Sequence, residues 1–245
     1  MNKNKPIYIV TGCAGFIGFH VSKTLLEKNF FVIGVDNLNT YYDTKLKLDR
    51  LKILKRKTKN FSFKKVDISN FHKLEKIFKN IGKFKVIHLA AQAGVRYSLE
   101  HPRTYIKSNL VGFWNILALS KKYKSEHLIF ASSSSVYGAN KKFPYYENDK
   151  TDKPKQLYAA TKKSNEVISY SYSSLYNMNI TGLRFFTVYG PYGRPDMAIY
   201  KFTKNILGNK KIDVYNKGNH YRDFTYIDDI AKGIIASTKL NKKRK

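Results

Sequence analysis

Residues 7–18 read IYIVTGCAGFIG, and the reading of this stretch decides the fold. Ile7–Thr11 is an apolar run of strand length that enters a turn with glycines at 12, 15 and 18. A helical pattern follows from Phe16 to about Glu27, and a second apolar run, Phe31–Val35, ends at Asp36. Strand, glycine turn, helix and strand make a βαβ unit, which requires parallel strands and a right-handed crossover.

The flanking strand and helix lift the GxxGxxG spacing above a plain tight turn. Gly12 permits the turn, Gly15 lets backbone approach a pyrophosphate, and Gly18 allows the helix to pack closely on the sheet. A pyrophosphate there meets free N–H groups and the positive end of the helix, with Phe16 and Ile17 in its first turn. Asp36, roughly 20 residues on, suits the two hydroxyls of an adenosine ribose and repels a 2′-phosphate, which favours NAD over NADP. Asn37 follows it, and Asp67 ends the next strand, where it can face the adenine or serve as a turn residue.

Outward from this unit the alternation continues. Residues 40–59 are charged and read as a helix on a solvated face, Phe61–Val66 as a strand, 70–80 as a helix and Val86–Ala90 as a strand. A long helix is expected over 101–123, a strand over His127–Ser132, a second long helix from about Leu157 to Tyr176 and a strand over Ile180–Phe185. This pattern predicts an α/β fold with a doubly wound parallel sheet. From Val188 the alternation breaks down, so 1–187 is expected to form the dinucleotide-binding domain. Residues 188–245 are expected to form a small, incomplete second lobe with helices near 197–208 and after Asp228, and a basic tail.

Length and composition bound the rest. The chain has 245 residues and 42% hydrophobic content, enough for a substantial core. The single cysteine, Cys13, excludes an intrachain disulfide and a cysteine-based metal site, and is compatible with the cytoplasm. No run is long and apolar enough to span a membrane, and no signal peptide is seen. The net charge of +29 by itself also fits a nucleic-acid-binding protein. The lysines are spread along the chain among abundant Asn, Ile, Tyr and Phe, so compositional bias is the preferred reading, with neither nucleic acid nor membrane as a partner.

Tyr158 and Lys162 are four residues apart on a predicted helix and share one face. An ammonium beside a phenol favours phenolate and is expected to lower the tyrosine pKa; with the positive charge of bound NAD+ added, Tyr158 is expected to act as a general base near neutral pH. Tyrosine and lysine are common here, and the pair alone is a weak signal. The serine run 132–135 strengthens it by following a strand, at the sheet edge where such folds bind ligands.

GCAGFIG, SSSSVYG from Ser132 and YAATK from Tyr158 together resemble the extended short-chain dehydrogenases that act on nucleotide-sugars. DNLNTYYD from Asp36, HLAAQAGVRYS from His88, LRFFTVYGPYGRPDMA from Leu183 and RDFTYIDDIA from Arg222 resemble the UDP-glucuronate 4-epimerases among them, over essentially the whole chain. The resemblance implies that Tyr158 takes the sugar 4-hydroxyl proton as hydride passes from carbon 4 to NAD+. The 4-keto sugar then turns over, and hydride returns to its other face. It further implies that Ser133 bonds the reacting oxygen and that Lys162 also bonds the nicotinamide ribose. Tyr158 and Lys162 thus join a cofactor set that includes Ile68, Leu89, Ala90 and Ala91.

Related 4,6-dehydratases carry Asp-Glu just before VYG, and glucuronate decarboxylases carry Glu immediately before it; Ser134 and Ser135 stand here. Serine hydroxyls suit a substrate carboxylate and cannot act as those acids or bases. Thr187 stands where UDP-glucose epimerases commonly have Asn. Arg194 and Arg222 resemble contacts to the UDP pyrophosphate, and Arg96 lies in a loop from which it can approach the same charge. His88 and His101 read as structural, and no metal is expected.

The resemblance also implies a homodimer built on helices 101–123 and 157–176. Family members continue for roughly a further quarter of their length beyond the Asp228-Asp229 helix. NAD binding with weak or absent turnover is therefore expected of this chain. The alternatives are an NAD-binding fragment without turnover and another nucleotide-sugar epimerase, such as one acting on UDP-glucose.

Overall fold

The computed structural model describes residues 5–94, 96–219 and 221–240; the end of the basic tail, 241–245, lies outside the described residues. The first half runs β1 (Ile7–Thr11), α1 (Phe16–Glu27), β2 (Val32–Asp36), α2 (Thr44–Lys57), β3 (Phe61–Lys65), α3 (Phe71–Phe78) and β4 (Phe84–His88). Next come α4 (Tyr97–Glu100) and a long helix in three parts: α5 (Pro102–Tyr105), a π-helical turn (Ile106–Val111) and α6 (Gly112–Lys122). Then follow β5 (His127–Ser133), α7 (Leu157–Tyr176), β6 (Ile180–Phe185), β7 (Thr187–Tyr189), α8 (Ala198–Leu207), β8 (Phe224–Tyr226) and α9 (Ile227–Ser237).

Six strands form one parallel sheet in the order β3-β2-β1-β4-β5-β6, the doubly wound arrangement expected from the alternation. The order reverses between β1 and β4, which opens a crevice at the carboxyl ends of the strands. β7 and β8 pair in parallel as a separate ribbon. Side-chain alternation along β1 sends Tyr8 and Val10 into one core layer with Phe19, Leu25, Leu54 and Ile234, and Ile9 into the other with Phe78, Phe113 and Ile116. α9 returns to the first layer, with Ala231, Ile234 and Ile235 packed against α1.

The fourth strand lies earlier than the expected Val86–Ala90. It ends at His88: the Leu89 amide is shared between the Thr11 carbonyl and the Thr11 hydroxyl, each at 3.2 Å, and the Ala90 amide turns to that hydroxyl at 3.2 Å. The expected helix over 101–123 is present, but the π turn within it changes which side chains point inward. Asn109 in that turn is buried and exchanges two hydrogen bonds with the Gln92 backbone, accepting from N–H at 2.8 Å and donating to C=O at 3.0 Å.

Candidate active site

Gly12 has φ +71°, and a Cβ there would come within 2.8 Å of the Ala90 nitrogen. A Cβ on Gly18 would run into the Gly12 carbonyl. These two glycines therefore let α1 lie directly on the turn, which leaves the N-terminus of α1 facing the crevice. Asp36, at the end of β2, is buried and accepts hydrogen bonds from the amides of Ala14 (3.1 Å) and Leu38 (2.8 Å). Burial pushes its carboxyl up, against the hydrogen bonds and Lys47 that pull it down.

One pocket runs from this end to the β5 and α7 end. Gly12, Gly15, Phe16, Ile17, Gly18, Asp36, Asn37, Ile68, Leu89, Ala90 and Ala91 line it, together with Ser133, Tyr158, Lys162 and Arg194. Asp67 does not join them: its carboxylate accepts from the Ser69 amide (2.9 Å) and hydroxyl (2.8 Å) and pairs with Lys107 at 3.4 Å. Burial acts upward on the Asp67 carboxyl, but these partners outweigh it and hold it below the ordinary range.

At the far end α7 presents both expected residues. Lys162 is buried, donates to the Ala131 carbonyl at 2.8 Å and lies 6.0 Å from the Tyr158 ring centroid. Burial lowers the Lys162 ammonium to about 8. The Tyr158 phenol corrects the expectation of a lowered pKa. Burial raises it above its ordinary value, while hydrogen bonding to Ser133 and the charge of Arg194 act in the other direction. Desolvation of a phenolate outweighs the protein's own stabilising groups here.

Ser133 ends β5, and its hydroxyl donates to the Ser135 hydroxyl at 3.1 Å while accepting the Ser135 amide at 3.2 Å. Ser134 and Ser135 open the short 3-10 turn that follows. Ser132 also lines the pocket, but its hydroxyl donates to Glu166 at 2.5 Å, and Glu166 accepts from Nε and one Nη of the Arg184 guanidinium, each at 2.9 Å. Thr187 opens β7, its amide bonded to the Asp223 carbonyl at 3.1 Å. Arg96 lies over the Tyr215 ring at 4.2 Å, and Arg222 is exposed with its guanidinium on the Tyr221 carbonyl, so neither is brought to the pocket wall with Arg194. His88 is buried against the Thr11 hydroxyl at 2.7 Å, and the His101 ring packs on Tyr97 at 4.1 Å.

Some contributors escaped sequence reading. Arg50 is fully buried and donates to the Ala14 carbonyl and the Tyr42 hydroxyl, each at 2.8 Å, and to the Tyr192 carbonyl at 2.5 Å. Lys47 and Tyr41 line the pocket. The run 36–43 carried a signal through its likeness to relatives, but Arg50 sits in a lysine- and arginine-rich helix where no pattern singles it out.

A glycine-cradled nucleotide end, continuous with an end where half-buried Tyr158 joins buried Ser133 and Lys162, defines a dinucleotide-dependent enzyme of short-chain dehydrogenase architecture. Residues 8–244 match the NAD dependent epimerase/dehydratase family, and the chain belongs to that family. It is 57% identical to Protein CapI of Staphylococcus aureus over 92% of this chain and 67% of that protein. It is 51% identical to the UDP-glucuronate 4-epimerase of Thermodesulfobacterium geofontis over 95% of this chain and 71% of the relative. The structure of UDP-glucuronic acid 4-epimerase from Bacillus cereus, in complex with UDP-glucuronic acid and NAD, superposes with a TM-score of 0.90 at 35% identity. That match covers 96% of this chain and 74% of the other. The chain thus spans about two thirds to three quarters of the length of these proteins.

Proposed function

We propose that the chain is an NAD-dependent 4-epimerase interconverting UDP-glucuronate and UDP-galacturonate. The observation that carries this reading is the convergence of Ser133, Tyr158 and Lys162 in one pocket with the glycine loop and Asp36. The residues present fit NAD, since the cradle at Gly12 and Gly18 is closed to any side chain and a buried carboxylate stands at the end of β2. NAD supplies a reversible hydride acceptor and a positive charge when bound. Asp36 would take the adenosine ribose and the α1 N-terminus the pyrophosphate.

In this reading Tyr158 accepts the proton of the sugar 4-hydroxyl and returns it after the keto sugar has turned. Ser133 holds the same oxygen. The Lys162 ammonium adds to the positive field that the phenolate needs, since burial acts against it. Ser134, Ser135 and Thr187 offer hydroxyls to the sugar, and a carboxylate at the sugar's carbon 5 suits them better than a carboxylate-bearing wall. Arg194 meets the negative charge of the substrate diphosphate inside the pocket, while Arg96 and Arg222, held away from the pocket wall, are given no contact in this reading. Substrate identity takes its support from relatives near 50% identity and from the superposed Bacillus cereus enzyme.

Residues 1–187 form the dinucleotide-binding domain in this proposal, and 188–245 contribute substrate contacts and the returning helix. A homodimer through α6 and α7 is supported by Val111, Trp114, Val167 and Tyr170, of which Trp114 is 47% and Tyr170 78% exposed. Cytoplasmic residence takes its support from the single buried cysteine. The test is incubation of the chain with UDP-glucuronate and NAD, resolving the sugars formed. UDP-galacturonate is the expected product, even at a weak rate; UDP-xylose as the sole product would overturn the reading, and no turnover with NAD bound would replace it with that of an NAD-binding fragment.

A further inference from the structure

Arg194 does not set its own direction. Its Nε donates to one oxygen of Asp196 at 3.0 Å and an Nη to the other at 2.5 Å. This leaves the second Nη outside the Asp196 pair, where it can meet an anion, with Tyr41 against the same guanidinium. The same carboxylate accepts the Tyr41 hydroxyl at 3.0 Å. Tyr41 comes from the opposite end of the pocket, in the loop between Asp36 and α2. Its ring packs edge-on to Tyr97 with centroids 4.8 Å apart. Gly94, at φ +100°, keeps clear the space its hydroxyl occupies.

Two more ties run in the same direction. The His20 ring, on α1, meets the Pro191 carbonyl at 2.9 Å. Arg50, on α2, joins the Tyr192 carbonyl to the Ala14 carbonyl of the glycine turn. The turn that carries the substrate-side cation is therefore held by cofactor-side residues. Of these ties, only Tyr41 both lines the pocket and bonds the carboxylate that orients Arg194.

We propose that Tyr41 and Asp196 are positioning residues that couple occupancy of the dinucleotide end to the affinity of Arg194 for an anionic nucleoside diphosphate sugar. The proposal rests on the function assigned above. Coupling requires a contact that differs between two states. That contact is the Tyr41 hydroxyl on Asp196: a nucleotide seated against Asn37 and Asn39 fixes the loop, the loop fixes the hydroxyl, and Asp196 then holds the fork toward the pocket.

The experiment is calorimetric titration of the full chain with UDP-glucuronate, with and without saturating NAD. Wild type is expected to bind UDP-glucuronate about 5- to 10-fold more tightly with NAD, at the low end of ordinary coupling. Tyr41→Phe keeps the ring packing and removes the donor; its ratio is expected to fall to about 1–2 with NAD affinity nearly unchanged. Asp196→Asn should lower the ratio as well and weaken UDP-glucuronate binding in the presence of NAD. A wild-type ratio of one, a ratio unchanged in both variants, or loss of NAD binding in Tyr41→Phe would overturn the inference. Product analysis separates the two readings. Coupling that responds to Tyr41 without galacturonate formation defeats only the assigned reaction; product formation with coupling indifferent to Tyr41 and Asp196 defeats only the positioning role. No binding of UDP-glucuronate by NAD-loaded wild type defeats both.

Discussion

α1 and α8 sit in opposite surroundings. α1 has 12 residues and buries eight of them, from Phe16 through Leu26, between the sheet, α2 and α9. α8 has 10 residues and buries none, with Ile199, Phe202, Ile206 and Leu207 exposed. The difference teaches how each end of the site is held. The cofactor end is set by a packed core and by glycines whose backbone is in contact. The segment that carries Thr187 and Arg194 is held by the β7–β8 ribbon and by side chains reaching over from the cofactor half. Helical stability in proteins comes mostly from burial of the apolar face, so α1 and α8 should answer mutation very differently.

The largest effect expected is chemical. Tyr158→Phe removes the proton acceptor and should lower epimerase turnover by about 10²- to 10⁴-fold. NAD binding should survive, since the glycine cradle and Asp36 are untouched; product formation and NAD titration on the same preparation check both parts.

Core truncation comes next and tests the comparison directly. Phe19→Ala removes a ring that is 1% exposed and packed on Tyr192, and should cost about 3–5 kcal/mol in urea unfolding. At the other extreme, Phe202→Ala on α8 should stay within about 0.5 kcal/mol. Equal losses at the two sites would show that α8 is covered in solution.

Between these lies an effect of pH. Burial, then the nearby charge of Lys162, holds the His88 imidazole down at about 3, while the unfolded chain takes up its proton near the ordinary 6.5. The unfolded state therefore binds more protons in that window. Stability contributed by neutral His88 is fully present above pH 6.5 and is lost as pH falls toward 3, with a slope of up to about 1.4 kcal/mol per unit. Denaturant unfolding across pH 4–7 should show the slope, and His88→Gln should remove that share of it.

Local signals in the sequence carried the cofactor half well. Leu157–Tyr176 was expected as a helix and is one with those bounds, and Gly12 and Gly18 allow the tight turn and close helix packing that their spacing required. Helical periodicity and turn chemistry are short-range, so they survive translation into structure. Distant polar pairing is not written in any local pattern. Nothing near Thr187 announces its strand's partner at Phe224–Tyr226, and nothing near Asp67 shows that Ser69 and Lys107 would claim its carboxylate. Tyr158 failed in the same way: the Tyr-Lys spacing states proximity along a helix, but desolvation depends on everything packed around the phenol.

The π turn at Ile106–Val111 leaves a mark of length. An ordinary helix advances about 100° per residue, and the wider turn takes up one residue more than regular winding would use. Deleting a single residue there would let the helix close into uniform winding, and Asn109 would swing away from Gln92 while α6 kept its packing. The loop between β4 and α4 would lose its clasp although no core side chain had changed. In this helix the count of residues, as much as their identity, carries the information that shapes the pocket floor.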